Sequence, residues 1–284
     1  MERIQCKREG CHTIRWQSDL STTGRGYVVN QSGTGYRKVP EVTVLFWITK
    51  VLTTGMGETT SDYFVKKYIP EIAVAVAGVV LIVALVLQYR AKQYRPAPYW
   101  FAVAMVSVFG TMAADVLHVQ FLVPYSVSTV FFAVVLTAIF VAWRLTEKTL
   151  SIHSITTPRR ETFYWATVLT TFALGTAAGD LTATTLGLGY FLSGVLFAVI
   201  IAIPLIGWRF MGLNAIFAFW FAYVVTRPLG ASFSDWIAVS HIRGGLNLGT
   251  GPVSIVLAIF IVIAVAVQAR SWRLARPGVL RKGL

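Results

Sequence analysis

Four aspartates recur at one place in this chain, and their spacing points to shared chemistry. Trp47 is followed ten residues later by Gly57 and fifteen residues later by Asp62. The same offsets give Trp100, Gly110 and Asp115; Trp165, Gly175 and Asp180; Trp220, Gly230 and Asp235. Carboxylates at matched positions are hard oxygen ligands, suited to protons, Mg, Mn or another small cation. Glu58 lies four residues before Asp62, on the same helical face. The bases within the same segments are Lys50 and Arg227, so acids outnumber bases by five to two. Measured from the Trp, Arg227 sits one helical turn below Glu58. The two are expected to pair if the first and fourth repeats are neighbours. Lys50, a further turn down, is expected to face Thr54 and a neighbouring helix.

Other chemistry is thinner. Asp115 and His118 are three residues apart, a half-site for a divalent metal. A lone His at an outer loop is more often an ordinary polar residue, and His241 is a weaker candidate still. Cys6, Cys11 and His12 lack the second half of a zinc site. No nucleophile–base pair, His cluster or nucleotide-binding loop is present, so the expectation is that the chain is not an enzyme and that transport, if any, is secondary or passive. The sequence specifies no cofactor.

The elements that must carry these residues come from a four-fold internal repeat. An aromatic residue precedes each Trp: Phe46, Tyr99, Tyr164 and Phe219. The 284 residues are 56% hydrophobic and 13% charged, with mean hydropathy +0.66, too apolar for a soluble domain of this size. Apolar runs long enough to cross a bilayer as helices recur. Eight spans are predicted, roughly at 42–64, 71–89, 98–117, 122–143, 162–181, 186–207, 214–236 and 252–269. The fold expected is all-α: a polytopic membrane bundle of four two-helix repeats at roughly 42–90, 97–144, 161–209 and 213–270. Residues 1–37 read as a polar tail and 271–284 as a basic one, flanking a transmembrane domain over 38–270.

Twenty of the 25 Lys and Arg residues fall on the side of the termini, against Lys66, Lys67 and Arg243 opposite. The formal charge of +13 therefore reads as cytoplasmic loops under the positive-inside rule, with both termini cytoplasmic, and not as a nucleic-acid surface. A two-span repeat returns the chain to its starting side. All four repeats then enter the membrane the same way and can be related by a pseudo-four-fold rotation about its normal. Four hairpins around an axis, with motif helices inside, is the economical arrangement. Pro228 is expected to kink the seventh span.

The motif helix has competing readings. Trp47, Trp100, Trp165 and Trp220 suit an interfacial belt, each ring partly buried and its N–H wet. Gly57, Gly110, Gly175 and Gly230 suit close helix packing. Fifteen residues at ~1.5 Å each place every Asp about 22 Å beyond its Trp, at one depth toward the outer leaflet. A carboxylate there costs several kcal/mol unless paired or hydrated, of order the insertion penalty of a charge. Each Asp either caps a short segment or sits just outside the hydrocarbon, or the four form a ring at the outer end of a central pathway.

At residues 38–64, KVPEVTVLFWITKVLTTGMGETTSDYF, the chain resembles a family of bacterial membrane proteins with four tandem repeats of unknown function. Each repeat of that family has two transmembrane segments and a characteristic Trp. The resemblance spans roughly residues 38–270. It implies eight spans in a bacterial inner membrane and leaves activity open. Two functions remain: a secondary transporter or channel for a small cation that uses the acidic ring, or a non-transporting scaffold whose Trp, Gly and Asp are structural. The partners implied are the lipid bilayer and, for the first reading, a small cation.

Overall fold

A computed structural model describes residues 37–274. The tails expected at 1–37 and 271–284 therefore lie almost wholly outside the described residues, as do Cys6, Cys11 and His12. Eight α-helices and no strands are found among the described residues. They are α1 (Val44–Lys67), α2 (Pro70–Arg90), α3 (Pro96–Val119), α4 (Tyr125–Glu147), α5 (Pro158–Asp180), α6 (Gly189–Phe210), α7 (Ala215–Ala238) and α8 (Thr250–Leu274).

Local chemistry sets the starts. Thr43 accepts the Phe46 amide at α1, and the Asn214 side chain accepts the Ile216 and Phe217 amides at α7. Proline opens α2, α3 and α5, where its missing N–H costs nothing. A helix satisfies its backbone internally, which is what hydrocarbon demands.

Six helices are long and apolar enough to cross a membrane: α2, α3, α4, α6, α7 and α8. The expectation was eight. Helices α1 and α5 are comparable in length, at 24 and 23 residues, but carry Lys50, Glu58 and Asp62, and Arg159, Arg160, Glu161 and Asp180. Of these, Lys50, Glu58 and Glu161 are buried, whereas Arg159, in the first turn of α5, is exposed.

The odd-numbered helices form a closed cycle of contacts. α1 packs on α3, α3 on α5, α5 on α7, and α7 back on α1. The even-numbered helices lie outside and show lipid-type residues outward, such as Val79, Ile82, Val134, Val199 and Ile259. The packing unit is not the sequence hairpin. α2 packs chiefly on α3, α4 on α5, α6 on α7, and α8 on α1. Each outer helix thus leans on the motif helix of the next repeat, and α8 closes the circle onto the first. α7 runs through Pro228 as a continuous helix.

The expected Trp belt is corrected by burial. Trp100, Trp165 and Trp220 are almost fully buried. They belong to an aromatic layer at one end of the odd helices. Phe46 meets Trp100 at 5.7 Å between centroids, Tyr99 meets Trp165 at 5.8 Å, Tyr164 meets Trp220 at 6.2 Å, and Phe219 meets Trp47 at 5.6 Å. The aromatic residue before each Trp therefore rests on the Trp of an adjacent motif helix. Two indole N–H groups find protein partners: Trp100 donates to Gln268 Oε1 and Trp220 to the Leu150 carbonyl, both at 2.9 Å. Packing of large rings outweighs the indole's preference for a wet edge.

Candidate functional site

Above the aromatic layer, the four glycines set how closely the motif helices approach. A Cβ built on Gly57 would stand 1.7 Å from the Ser107 hydroxyl oxygen. On Gly110 it would stand 2.8 Å from Phe172 Cβ, on Gly175 2.2 Å from Arg227 Cγ, and on Gly230 1.9 Å from the Thr54 hydroxyl oxygen. Ser107, Phe172, Arg227 and Thr54 occupy one repeat position, three residues before each glycine. Every glycine thus receives that residue from the next helix of the cycle, and only a missing side chain leaves room.

This approach delivers Arg227 to the middle of the bundle. It is fully buried, and its Nη2 donates to Glu58 Oε2 in an ion pair, to Thr111 Oγ1 at 2.5 Å and to Thr176 Oγ1 at 2.7 Å. Glu58, Thr111 and Thr176 share one offset from their Trp residues. One guanidinium nitrogen therefore ties α1, α3, α5 and α7 together at a single level. Its Nε and Nη1 have no hydrogen-bond partner among the described residues.

One turn nearer the aromatic layer sits Lys50, also fully buried. It reaches neighbouring helices as expected but makes no hydrogen bond to Thr54, whose hydroxyl donates to the Val51 carbonyl at 2.6 Å and the Thr226 carbonyl at 3.2 Å. Its Nζ lies 4.2 Å from the Phe172 ring centroid and 4.3 Å from that of Tyr223, and has no hydrogen-bond partner among the described residues. Ring faces attract a desolvated cation by about 2 kcal/mol. Val103, Val168 and Tyr223 complete the level, all buried. The axis is filled there by side chains.

The four aspartates lie beyond Arg227, at the opposite end from the aromatic layer. Asp115 is within electrostatic reach of Glu58, Asp62 and Asp180. Asp180 reaches Glu58 and Asp62, and Asp235 reaches Glu58, Asp62 and Asp180. Asp62 pairs with Lys66, one turn on. Asp235 is 6% exposed, and its Oδ1 has no partner among the described residues. Directly after Asp180, α5 passes into a π-helical turn, Leu181–Thr185, a distortion that often marks functional positions. The carboxylates share one field without converging on a point. Among the described residues no three His, Cys, Asp or Glu side chains are placed to hold a metal ion.

The histidines have local duties. His118 Nδ1 is 3.1 Å from the Val123 carbonyl, Nε2 is 3.5 Å from Ser128 Oγ, and the ring packs on Tyr125. Both nitrogens serve the α3–α4 corner, so the Asp115–His118 half-site is not assembled. His241 Nδ1 lies 2.8 Å from the Gly245 carbonyl.

Some site residues escaped the sequence reading. Thr111 and Thr176 were findable from their shared offset with Glu58, but lack the charge that draws notice. Arg243, on the 3₁₀ turn His241–Arg243, counted there only as an outer-side cation. It is held by the Tyr190 hydroxyl, with its guanidinium carbon 5.4 Å from that ring's centroid, and its charge reaches Asp62, Asp180 and Asp235. At the other end, Lys38 donates to Glu161 Oε2 at 2.6 Å and to the Tyr89 carbonyl at 3.1 Å. Gln88 donates to the other Glu161 oxygen at 3.1 Å. This buried knot ties the start of the described chain to α2 and α5. Nearby, His153 lies outside the membrane helices, and its pKa is lowered chiefly by burial and then by the Arg37 charge, against an opposing pull from Glu41.

Fold and site define a multi-pass membrane protein built from internal repeats, with a polar axis sealed by an arginine. The family described as Repeat of Unknown Function (DUF347) matches at residues 45–94, 98–149, 163–213 and 218–273, and the chain belongs to that family. Searches of the curated proteins and of the solved structures found no match.

Proposed function

We propose that this chain is an eight-span protein of the bacterial inner membrane that binds a small cation at an outer acidic vestibule and moves it by secondary transport. The observation that carries this reading is that Asp115, Asp180 and Asp235 all lie within electrostatic reach of Asp62 and Glu58, with an oxygen of Asp235 buried and unpartnered. Hydrocarbon does not tolerate such a group without a proton, a cation or water. The eight-span count is supported by α1 and α5, which match their neighbours in length and pack between α3 and α7 at the level of the aromatic layer. Four recurrences of one glycine contact support a pseudo-four-fold rotation about the membrane normal. The excess of Lys and Arg on the terminal side supports cytoplasmic termini.

The vestibule selects by diffuse negative field and not as a tight metal cage. Arg227 bars the axis at rest, so passage requires its ion pair with Glu58 to open. A cation entering beside Glu58 competes with Arg227 for the same carboxylate, which couples binding to opening. No enzymatic chemistry and no nucleic-acid partner belong to this reading.

The filled axis favours a second reading, a membrane scaffold held by buried polar ties. Flux of protons, Mg²⁺ and Mn²⁺ into proteoliposomes separates them. Transport predicts flux above empty liposomes and a loss when Asp62, Asp115, Asp180 or Asp235 is changed singly to Asn. Equal flux in all variants and in empty liposomes leaves the scaffold.

A further inference from the structure

We propose that Arg243 is a tethered occupant of an organic-cation subsite at the outer mouth, and that the free ligand of this subsite carries a guanidinium group. The inference rests on reading the aspartates as one vestibule, and it names the class of cation that vestibule takes.

Three observations carry it. The Arg243 guanidinium lies against the Tyr190 ring and donates to its hydroxyl. Its charge is within electrostatic reach of Asp62 of α1, Asp180 of α5 and Asp235 of α7, and the buried Asp235 Oδ1 has no partner among the described residues. The carboxylates do not gather closely enough to ligate a metal ion. A compact, strongly hydrated cation needs several oxygens at short range to replace its water. A guanidinium does not: it is planar, weakly hydrated, spreads its charge over three nitrogens, and stacks on aromatic faces. A ring face, a phenol oxygen and separated carboxylates form the environment such a group prefers.

The geometry also lets the occupant leave. The loop carrying it is fixed by its own backbone: Leu246 donates to the Trp236 carbonyl at 2.7 Å, Asn247 to Val239 at 2.8 Å, and Gly249 to Ala238 at 3.0 Å. Arg243 itself is exposed. Rotation about its side-chain bonds empties the subsite without unfolding the loop, and a free guanidinium can then take the same contacts. The loop belongs to the fourth repeat alone, so the subsite breaks the four-fold pattern.

Chemical rescue tests this without measuring transport. The full chain is purified in detergent as wild type and as Arg243→Ala, and its thermal midpoint is followed against guanidinium chloride at millimolar, non-denaturing concentration, with sodium chloride as the matched control. The subsite predicts a saturable rise of a few degrees in Arg243→Ala with guanidinium and not with sodium, through binding to the folded state. Wild type, already occupied, responds weakly. Adding Asp235→Asn to Arg243→Ala abolishes the rise. Should Arg243→Ala fail to fold, Tyr190→Phe, which loosens the tether but keeps it, predicts a smaller response of the same kind. Equal responses in variant and wild type, or equal responses to sodium and guanidinium, overturn the proposal. A guanidinium response without flux of guanidinium, protons, Mg²⁺ or Mn²⁺ in liposomes keeps the subsite and removes transport. Flux without the response removes the subsite alone.

Discussion

In the aromatic layer, four copies of one contact close the cycle, each aromatic residue resting on the Trp of an adjacent motif helix. A few residues along the same four helices, the copies diverge. Three residues past the Trp stand Lys50, Val103, Val168 and Tyr223, and seven past it stand Thr54, Ser107, Phe172 and Arg227. The aromatic layer is dry, large and interchangeable. The two levels beyond it give one repeat a lysine, another an arginine and a third an aromatic ring that both cations approach. A repeated contact can close a bundle but cannot break its symmetry. Chemistry that needs one charge opposite another must come from departures at fixed offsets, and the glycine approach places those departures against each other.

The sharpest break in this comparison is expected at the ion pair. Replacing Arg227 by Met strands Glu58 in a buried site and should cost about 3–5 kcal/mol. Adding Glu58→Gln should recover part of that loss, because the two side chains contact each other and their effects are not additive. Denaturant unfolding in detergent reads the cycle, and strict additivity would refute the pair as an energetic unit. Next in size is the glycine approach, testable one turn apart on one helix. Gly175→Ala drives a Cβ to 2.2 Å from Arg227 Cγ and should cost about 1–3 kcal/mol by overpacking. Gly179→Ala meets only Pro228, its Cβ at 3.8 Å and Cα at 3.9 Å, and should be neutral or stabilising by up to about 1 kcal/mol, as alanine suits a helix better than glycine. Equal losses at both would remove the special role of the approach.

The aromatic layer sharpens the contrast with a smaller effect. Trp100→Phe removes the N–H that Gln268 accepts, and Gln268 also accepts from Tyr94 and donates to Thr49. The expected cost is about 1 kcal/mol for the lost bond, beyond the change in ring size. Trp165 Nε1 is buried without a partner among the described residues, so Trp165→Phe should cost less. Thermal midpoints of the two variants, compared side by side, check the order.

Much of this organisation was legible in the spacing. The family resemblance read from residues 38–64 is borne out by four repeat matches. Arg227 and Glu58 meet because seven residues past one Trp and eleven past another differ by a helical turn, so a reach along the axis joins neighbouring helices. The spacing did not disclose which motif helix each outer helix would choose. α2 leans on α3 more than on α1, a preference made by side-chain fit over faces that all read as Val, Ile and Leu. The Trp residues were misplaced for a related reason. An indole suits an interface and a core alike, and only the ring before it, seated on the next Trp, decides for the core. His118 looked like a metal ligand beside Asp115, yet its nitrogens are taken up by the corner that follows α3, a fold of the chain that spacing along one helix cannot foresee.

The smallest effect belongs to a second ion pair of α1, Lys66 with Asp62. Both pairs join an acid of α1 to a cation, and they are separated by one helical turn of acid position. Glu58 and Arg227 are buried, whereas the Lys66 side chain is 55% exposed and that of Asp62 is 23% exposed. Water already solvates the lysine, and holding two long side chains in one geometry costs entropy, so an exposed pair four residues apart contributes about 0.3–0.5 kcal/mol. Lys66→Ala should therefore shift the unfolding free energy by no more than that, and the shift should shrink as salt is raised. The Arg227→Met loss should be nearly indifferent to salt, since ions do not reach it. A salt-sensitive Arg227 would mean that water reaches the axis from the outer mouth, and the sealed level would then be open; a costly Lys66 would mean that its pair with Asp62 is shielded from water.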